Sequence, residues 1–459
     1  MKNEKKIVII GAGITGLATA HWLKKDGYNV TIIESNSEVG GSMVTEKENG
    51  YLIDFGPNSG LETSPSIKTL VEDLNLKDQF IYGSKTGNKR YILRGNKLHV
   101  LPTNLKDFIS TKLFSTKAKL RLALEPFIGK SEDGYNQSIS EFVSRRLGQE
   151  FLDYAINPFV AGVFAGDPDK LSVKSAFPKL YRLEEIYGGL IKGTIKGARE
   201  RKKSGEKSKQ DAAMFSFKDG MVTLPKALHS EFGNDVILNA NVTSVAKEKN
   251  RFKITYEHNN SELTHEADLV ISTAPSYITS KIFGDLDSEL PNHLNSIYYP
   301  PVMVLYLGYD IKDIGQPLDG FGFLIPSKEK KNFLGALWSS VIFDNRAPEG
   351  KAAFTLFVGG TRSPELFSDD NSTLINEVIK EFETLMNITG KHEFIKSKFW
   401  NNAIPQYNIG YIEHDNYFKK FENENNGIIL GGNYVGGISV GDCIKNSEVL
   451  FNKAKEKLK

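Results

Sequence analysis

The chain has 459 residues, too many for one simple core, so we expect two or three domains. Its formal net charge of +2, with 40% hydrophobic and 25% charged residues, is ordinary for a folded globular protein and argues against binding nucleic acid through bulk charge. The single cysteine, Cys443, excludes an internal disulfide, and no group of residues has the spacing of a metal site.

The start of the chain predicts a nucleotide-binding βαβ unit. Lys6 to Ile10 have the pattern of a short buried strand, and Gly11, Gly13 and Gly16 follow in the G-x-G-x-x-G spacing. The first glycine allows a tight turn, the second lets the backbone approach a pyrophosphate, and the third lets the new helix pack closely on the strand. We expect the phosphates at the N-terminus of that helix, where free N–H groups and the helix dipole favour anions.

A second predicted strand, Asn29 to Ile33, leads directly into Glu34. A carboxylate at the end of this strand accepts hydrogen bonds from a ribose 2′-hydroxyl. The natural ligand is therefore an adenine dinucleotide that lacks a 2′-phosphate.

The next segment mixes strands with one helix. Tyr51 to Gly56 predict a strand that leads into the loop Pro57 to Gly60, and Ser66 to Leu76 have helical apolar spacing. Alternating apolar residues from Tyr91 to Val100 around a glycine turn predict a hairpin, with Arg90 at its entrance.

Residues 103–210 have helical periodicity, and Ser138 with Glu141 resembles a capping box. Two features predict contact with a bilayer surface: an apolar stripe from Leu105 to Phe114 flanked by lysines, and a basic run from Lys192 to Lys209. The alternative is a core-facing helix plus a solvated charge run. From the first residues we expect no signal peptide, and the sequence contains no apolar run long enough to span a bilayer. We expect a cytoplasmic protein that lies peripherally on the inner face of the cell membrane.

The second half is rich in strand patterns. Those at Val236–Leu238, Val242–Lys247, Phe252–Tyr256 and Asp268–Ser272 are interpreted as the return of the chain to the dinucleotide-binding sheet, with Val242 near the adenine. Four later candidates predict a large, antiparallel sheet that forms a wall of a substrate site: Val302–Tyr309, Gly320–Ile325, Phe333–Trp338 and Ala353–Val358. Thr373 to Met386 are expected to be helical.

Near the C-terminus a buried strand, Gly427 to Gly431, runs into the glycine-rich segment Gly432 to Gly441 and a closing helix. Such a strand-to-helix turn presents N–H groups to a ligand. We expect the two ends of the chain to clasp one cofactor.

Several stretches together resemble a known family. Gly40 and Gly41, just past the ribose-binding acid, resemble the motif of the flavoprotein amine oxidase superfamily, which favours FAD over NAD. The whole chain resembles the protoporphyrinogen oxidases of haem biosynthesis. This resemblance is carried by the nucleotide motif and by NKRY (88–91), NPFVAGVFAGDP (157–168), GFGFL (320–324) and GNYVGGISVGDCI (432–444).

The resemblance implies an FAD-dependent oxidoreductase acting on CH–CH groups, which oxidises protoporphyrinogen IX to protoporphyrin IX by hydride transfer to flavin N5, with dioxygen as acceptor. The substrate would be contacted by Arg90, Gly162, Ala165, Phe321, Leu324 and Phe357. FAD would be contacted by Gly11, Gly13, Ile14, Thr15, Gly16, Glu34, Ser35, Gly40, Gly41, Ser42, Gly56, Pro57, Asn58, Val242, Thr273, Gly432, Asn433, Gly437, Ile438 and Ser439. No residue is named as catalytic, because the cofactor carries the difficult step.

The implied fold class is α/β with three parts. A discontinuous Rossmann-like FAD-binding domain comprises residues 1–58, 211–290 and 400–459. A mixed α+β substrate domain comprises residues 59–102 and 291–399, and residues 103–210 form a helical, membrane-binding insertion.

Three alternatives stay open. The first is coproporphyrinogen III oxidase activity, whose tetracarboxylate substrate needs more basic partners; the loop 57–64 contains none, although Lys89, Arg94 and Lys97 lie near Arg90. The second is another flavin amine oxidase or desaturase, with Tyr407 and Tyr434 as the aromatic pair beside the flavin. The third is a non-enzymatic binding protein of the same fold. A homodimer and a contact with ferrochelatase also stay open.

Overall fold

The computed structural model describes residues 4–131, 136–204 and 212–459, with side chains for all of these except 198–204. The distal part of the predicted basic run, up to Lys209, therefore lies outside the described residues. The strands are β1 (Lys6–Ile10), β2 (Asn29–Ile33), β3 (Thr45–Glu48), β4 (Tyr51–Asp54), β5 (Gly60–Leu61), β6 (Phe80–Tyr82), β7 (Lys89–Arg94), β8 (Lys97–Val100), β9 (Met214–Phe217), β10 (Val236–Ile237), β11 (Ala240–Glu248), β12 (Arg251–His258), β13 (Ser261–Ala267), β14 (Leu269–Ser272), β15 (Val302–Asp310), β16 (Gly320–Leu324), β17 (Gly335–Leu337), β18 (Lys351–Gly359), β19 (Phe394–Trp400) and β20 (Ile428–Leu430).

The helices alternate with these strands and are concentrated between β8 and β9. They are α1 (Ile14–Lys25), α2 (Pro65–Asp73), α3 (Leu105–Ser110), α4 (Thr116–Ala123), α5 (Ile139–Arg146), α6 (Gln149–Phe151), α7 (Asn157–Phe164), α8 (Val173–Ala176), α9 (Pro178–Tyr187), α10 (Leu190–Ser204), α11 (Thr223–Phe232), α12 (Ser276–Ile282), α13 (Leu290–Asn295), α14 (Ser339–Ile342), α15 (Ser372–Met386), α16 (Tyr411–Glu424) and α17 (Val440–Lys457).

A five-stranded parallel sheet forms the base of the molecule, in the order β10-β2-β1-β14-β20. Its strands are runs of buried β-branched residues, as expected for a sheet covered on both faces. Helices α1, α11 and α17 contribute to the core on one face. The predicted α/β class with a Rossmann-like unit is confirmed.

The prediction that the four strand patterns between Val236 and Ser272 return to this sheet is wrong in part. β10 and β14 join it, but β11 and β12 form a separate antiparallel sheet with β13, which the sequence analysis missed. β13 carries mostly exposed polar side chains, so it lacks the apolar alternation that marks a half-buried strand.

A seven-stranded sheet, in the order β19-β15-β18-β17-β16-β7-β8, carries the second large core. It is antiparallel as predicted except where β7 runs parallel to β16. The predicted hairpin forms this edge as β7 and β8, and helix α15 packs on one face of the sheet. β19 was not predicted, because its half-buried positions include Lys396 and Lys398 while Ile395 and Phe399 are exposed, so it lacks the apolar alternation of a half-buried strand.

The helical segment from α3 to α10 is tied together by a buried ion cluster. Arg146, which is fully buried, donates to Glu125 (2.9 Å) and to Glu184. Glu125 in turn accepts the N–H groups of Leu190 (2.7 Å) and Ile191 (3.0 Å), so it holds the first turn of α10. The predicted capping box between Ser138 and Glu141 is present at the start of α5.

The predicted apolar stripe does not form one surface. Leu113 and Phe114 are buried, whereas Leu105 and Ile109 are 73% and 66% exposed. The reason is that α3 ends at Ser110, so the residues after it turn into the core.

Candidate functional site

Four chain segments meet at the carboxyl end of the parallel sheet. They are the turn after β1 at Gly11, Glu34 after β2, Thr273 after β14, and Gly431 with Gly432 after β20. β1 lies between β2 and β14 in the sheet. The chain passes from β1 to β2 on one side and from β14 to β20 on the other, so the direction of the connections reverses between β1 and β14. Such a point is where open α/β sheets bind their ligands.

The three glycines of the first turn have the backbone geometry that their predicted roles require. Gly11 has a φ of +101°, which favours glycine. A side chain on Gly16 would collide with the Gly11 carbonyl and come within 2.6 Å of Thr273 Oγ1. A side chain on Gly13 would meet nothing within 4 Å, so open space lies above the N-terminus of α1, which has no side-chain cap and no acidic residue in its first turn. These features suit a pyrophosphate.

Glu34 is buried and its carboxylate is firmly oriented. Oε2 accepts the N–H of Ala12 (2.7 Å), and Oε1 accepts the backbone N–H (2.9 Å) and side-chain amide (2.7 Å) of Asn36. A carboxylate offers about four acceptor positions, so Oε2 retains one for a ribose hydroxyl.

The second glycine motif lies directly against the first. Gly40 donates its N–H to the Ala12 carbonyl (2.8 Å), and a side chain on Gly41 would be 3.5 Å from Gly13 Cα. Gly56 packs on the Ser42 carbonyl so closely that a side chain there would collide with it. The residues predicted to bind FAD between positions 11 and 56 are therefore brought together around one crevice.

The C-terminal turn completes this crevice. Gly431 donates to Ser272 (2.8 Å), and Gly432 lies against the Thr273 carbonyl. Among the other predicted cofactor residues, Ile14, Thr15 and Val242 are buried, Pro57, Asn58, Asn433, Gly437 and Ile438 are half-buried, and Ser35 and Ser42 are exposed. The Ser439 hydroxyl caps α17 and bonds Asp442, so it is already used.

Tyr407 holds the C-terminal turn in shape. Its hydroxyl donates to the Asn433 carbonyl (2.7 Å) and accepts the Gly437 N–H (3.1 Å). Tyr407 and Tyr434 are both buried, and burial raises the pKa of the Tyr407 hydroxyl well above its usual value. They support the turn from the core instead of forming the open aromatic pair considered for an amine oxidase. The sequence analysis assigned Tyr407 no such role, because nothing local links it to residues 433–437.

Arg90 and Phe321 lie together on neighbouring strands. Arg90 of β7 is in register with Gly322 of β16, and its guanidinium carbon lies 5.4 Å from the centre of the Phe321 ring. Arg90 is exposed and Phe321 half-buried, so a flat ligand with a carboxylate could contact both.

The other predicted substrate residues are Gly162, Ala165, Leu324 and Phe357. We call the surface that they form with Arg90 and Phe321 the wall. An ideal Cβ on Gly162 would lie 2.6 Å from Leu324 Cδ2, so α7 crosses closely over the end of β16. Ala165 and Phe357 pack in the same apolar cluster beside them. Leu324 is three residues from Phe321, a distance of about 10 Å at roughly 3.3 Å per residue, and a bulge between Gly320 and Gly322 interrupts the alternation that would place the two side chains on opposite faces.

A widened helical turn precedes α7. Residues 152–156 form a π-helical turn between α6 and α7. Pro158 follows; it lacks an N–H, and its ring crowds the carbonyl four residues earlier, at Tyr154. The turn re-aims α7 so that Gly162 meets Leu324, a placement that helical periodicity could not predict.

Two of the three basic residues near Arg90 in the sequence, Lys89 and Arg94, are neutralised within the protein, whereas Lys97 is exposed. Lys89 pairs with Asp319, whose other oxygen accepts the Tyr91 hydroxyl (2.6 Å). Arg94 pairs with Glu150 at 2.6 Å, and the hydrogen bonds from Ser115 and Arg94 outweigh burial and hold the pKa of Glu150 below its usual value. Within the described part of the chain, Arg90 has no carboxylate at ion-pair distance.

The arrangement fits a flavin dinucleotide along the parallel sheet and an aromatic or apolar ligand against the wall. No group of three potential metal ligands occurs in the described ranges. Burial raises the pKa of Cys443 to about 11, as expected for a buried small residue rather than a reactive thiol.

Comparisons with known proteins agree with this geometry. Residues 14–447 match the family model for flavin-containing amine oxidoreductase. Protoporphyrinogen oxidase 2, chloroplastic/mitochondrial, of Arabidopsis thaliana is 35% identical over 96% of this chain and 92% of its own length. Coproporphyrinogen III oxidase of Bacillus subtilis is 29% identical over 98% of both chains. A solved protein from Exiguobacterium sp. 255-15 has the same fold, with a TM-score of 0.81 at 21% identity over 100% of both chains.

Proposed function

The chain belongs to the flavin-containing amine oxidoreductase family, and on this premise we propose that it oxidises a porphyrinogen, with protoporphyrinogen IX as the preferred substrate. The cofactor is FAD, which when bound supplies the two-electron oxidant that accepts hydride from a substrate carbon. The similarity to the Arabidopsis protoporphyrinogen oxidase over nearly the full length of both chains supports this substrate class.

One observation carries the choice of substrate: among the described residues of the wall, Arg90 presents an exposed guanidinium without an ion pair, whereas its basic neighbours Lys89 and Arg94 are already paired. A planar guanidinium binds a carboxylate through two parallel hydrogen bonds. One such group suits a substrate with two propionates better than one with four.

The residues of the protein bind and orient the cofactor and the substrate. Glu34 and the glycine turns hold the dinucleotide, and Arg90 grips a propionate while Phe321 and Leu324 cover the macrocycle. Gly162 leaves room for a flat ring to approach. No acid or base is required of the protein beyond this positioning, because proton loss from a pyrrole N–H can pass to solvent.

The deciding experiment compares the two porphyrinogens. Purified enzyme reconstituted with FAD is assayed for porphyrin fluorescence with protoporphyrinogen IX and with coproporphyrinogen III under equal conditions. A higher kcat/KM for protoporphyrinogen IX is expected. Preference for the tetracarboxylate would make the Bacillus subtilis relative the better guide, and turnover of amines alone would point to an amine oxidase.

Arg90→Lys tests the proposed carboxylate contact. Lysine keeps the charge but lacks the planar guanidinium that binds a carboxylate through two hydrogen bonds. We therefore expect kcat/KM to fall about tenfold, equivalent to roughly 1.4 kcal/mol. Arg94→Lys is the matched control on the same strand, since Arg94 is committed to Glu150. Equal effects of the two substitutions would remove Arg90 from the site.

We further propose dioxygen as the electron acceptor. An oxygen electrode should record oxygen consumption in step with porphyrin formation. Turnover in air that leaves the oxygen concentration unchanged would require another acceptor.

We also propose that the helical segment rests on a membrane surface. Leu105, Ile109, Leu120, Leu124 and Phe127 expose between 55% and 85% of their surface, and lysines at 106, 112, 117 and 119 are interspersed with them. No helix in the described ranges is long and apolar enough to cross a bilayer.

Sedimentation with anionic liposomes tests this proposal at low and high salt. Phe127→Ser should weaken binding severalfold, because this side chain is 85% exposed. Phe399→Ser, at a 40% exposed aromatic on the edge strand β19, is the control. Wild-type protein that stays in the supernatant at low salt would refute membrane attachment.

A further inference from the structure

A buried ion pair joins the two halves of the site. Asp54 and Arg346 are each 2% exposed, and Arg346 Nη2 lies 3.4 Å from Asp54 Oδ2. Asp54 ends β4, directly before the segment 55–59 that contains predicted FAD contacts. Arg346 follows α14, which comes after strand β17 of the substrate wall.

The pair is the centre of a network that reaches four segments. Asp54 Oδ1 accepts the Thr45 hydroxyl (2.6 Å) and the Met221 N–H (2.9 Å), and the Asp54 carbonyl accepts the Asn58 side-chain amide (3.2 Å). Arg346 donates to Ser216 Oγ (2.7 Å), and its carbonyl accepts the Tyr306 hydroxyl (2.6 Å). The network therefore connects the cofactor loop with strands β9 and β15.

The pair also adjoins the space between the loop and the wall. Asn58 and Ser59 line a small cavity together with Phe321, Phe343 and Arg346. Phe343 lies beneath the guanidinium, 5.0 Å from ring centre to Arg346 Cζ. A movement of Arg346 would thus shift the distance between the cofactor loop and Phe321.

Stability alone does not account for such a pair, since a buried ion pair is often replaceable by apolar residues without loss of stability. What an apolar substitute cannot reproduce is the set of directed hydrogen bonds made by the two members of the pair: the guanidinium donates to Ser216 Oγ and the Phe217 carbonyl of β9, and the Asp54 carboxylate accepts from Thr45 and Met221. We infer that Asp54 and Arg346 are positioning residues, which fix the segment 55–59 against the wall and so set how a porphyrinogen held at Phe321 lies relative to FAD. This inference rests on the proposed function for the identity of the substrate, and on the predicted FAD contacts at residues 56–58 for the position of the cofactor.

Arg346→Lys in the FAD-loaded enzyme tests the inference. We expect kcat to fall at least tenfold while KM for protoporphyrinogen IX changes less than threefold, with FAD retained at the wild-type ratio. The visible circular dichroism of the bound flavin should change, because the loop beside it moves. Arg146→Lys is the matched control: it alters an equally buried arginine of the helical segment, and it should lower stability without changing either readout.

Asp54→Asn preserves the side-chain shape. If Arg346→Lys yields no folded protein, kcat, KM and flavin dichroism are measured in Asp54→Asn instead. If both single variants fold, the double variant Asp54→Asn/Arg346→Lys should lose less kcat than the two single losses combined, since both changes break one pair. Unchanged flavin dichroism and kcat in the folded variants would overturn the inference, as would losses equal to those in Arg146→Lys. Failure of the wild type to oxidise any porphyrinogen would refute the proposed function only, because the dichroism needs no substrate.

Discussion

Removing the Tyr407 hydroxyl should weaken FAD binding without unfolding the protein. In Tyr407→Phe, the Asn433 carbonyl and the Gly437 N–H lose partners at 2.7 and 3.1 Å. Each hydrogen bond contributes about 1 kcal/mol, so the turn loses roughly 2 kcal/mol of support. The free turn can then relax, and FAD binding must restore its shape. The dissociation constant should rise by up to roughly 30-fold, since about 1.4 kcal/mol corresponds to a factor of ten.

Titration of the apoprotein with FAD, followed by quenching of flavin fluorescence, measures this change. Tyr309→Phe is the matched control, because it removes the buried hydroxyl that donates to Glu383 (3.1 Å) in the second core. Both variants should melt at a lower temperature, but only Tyr407→Phe should bind FAD more weakly. Equal FAD affinities in the two variants would refute the reasoning that Tyr407 pre-shapes the turn.

Three further outcomes are expected. Gly162→Val should raise KM for porphyrinogen at least tenfold with normal FAD content, because even its Cβ falls 2.6 Å from Leu324 Cδ2; steady-state kinetics that match the wild type would place the substrate elsewhere. Glu125→Ala should lower the free energy of unfolding by about 3–5 kcal/mol in a denaturant titration, because it leaves Arg146 buried with one of its charge partners gone. Burial opposes ionisation of Glu184, but hydrogen bonds from the Ser131 N–H, Arg145 and Arg146 outweigh it and lower the pKa of Glu184 below 4.5. The contribution of Glu184 to stability is therefore complete above pH 4.5 and is lost as the pH falls through the pKa that Glu184 has in the folded protein. Glu184→Gln should be less stable than the wild type near neutral pH and lose less stability between pH 5 and pH 3.

The local structure around the proposed nucleotide site was largely predictable from the sequence because its signals are local. Gly11, Gly13, Gly16 and Glu34 belong to one βαβ unit, and each residue type is required by backbone geometry or by the ligand. The hairpin carrying Arg90 was predictable for the same reason, since alternation and a turn specify it. The sheet to which β11 and β12 belong was not predictable, because alternation of apolar and polar residues identifies a strand but not the sheet that it joins.

The sheet that forms the wall was predicted from strand patterns, but its proposed substrate contacts came only from the family resemblance. Neither the spacing of Phe321 and Leu324 nor the composition around Gly162 indicates that these segments meet. Their contact depends on the parallel pairing of β7 with β16 and on the π-helical turn before α7.

Local sequence therefore determined the turns and strand ends at which we propose that the dinucleotide binds, since turns, caps and periodicity act over a few residues. The tertiary structure decided which charges stay available and which become structural. Lys89, Arg94 and Arg346 are all basic residues near the wall, yet each meets a carboxylate from a distant segment, at Asp319, Glu150 and Asp54. Arg90 meets none among the described residues. That difference arises from long-range pairing, which brings together charges that no local pattern relates.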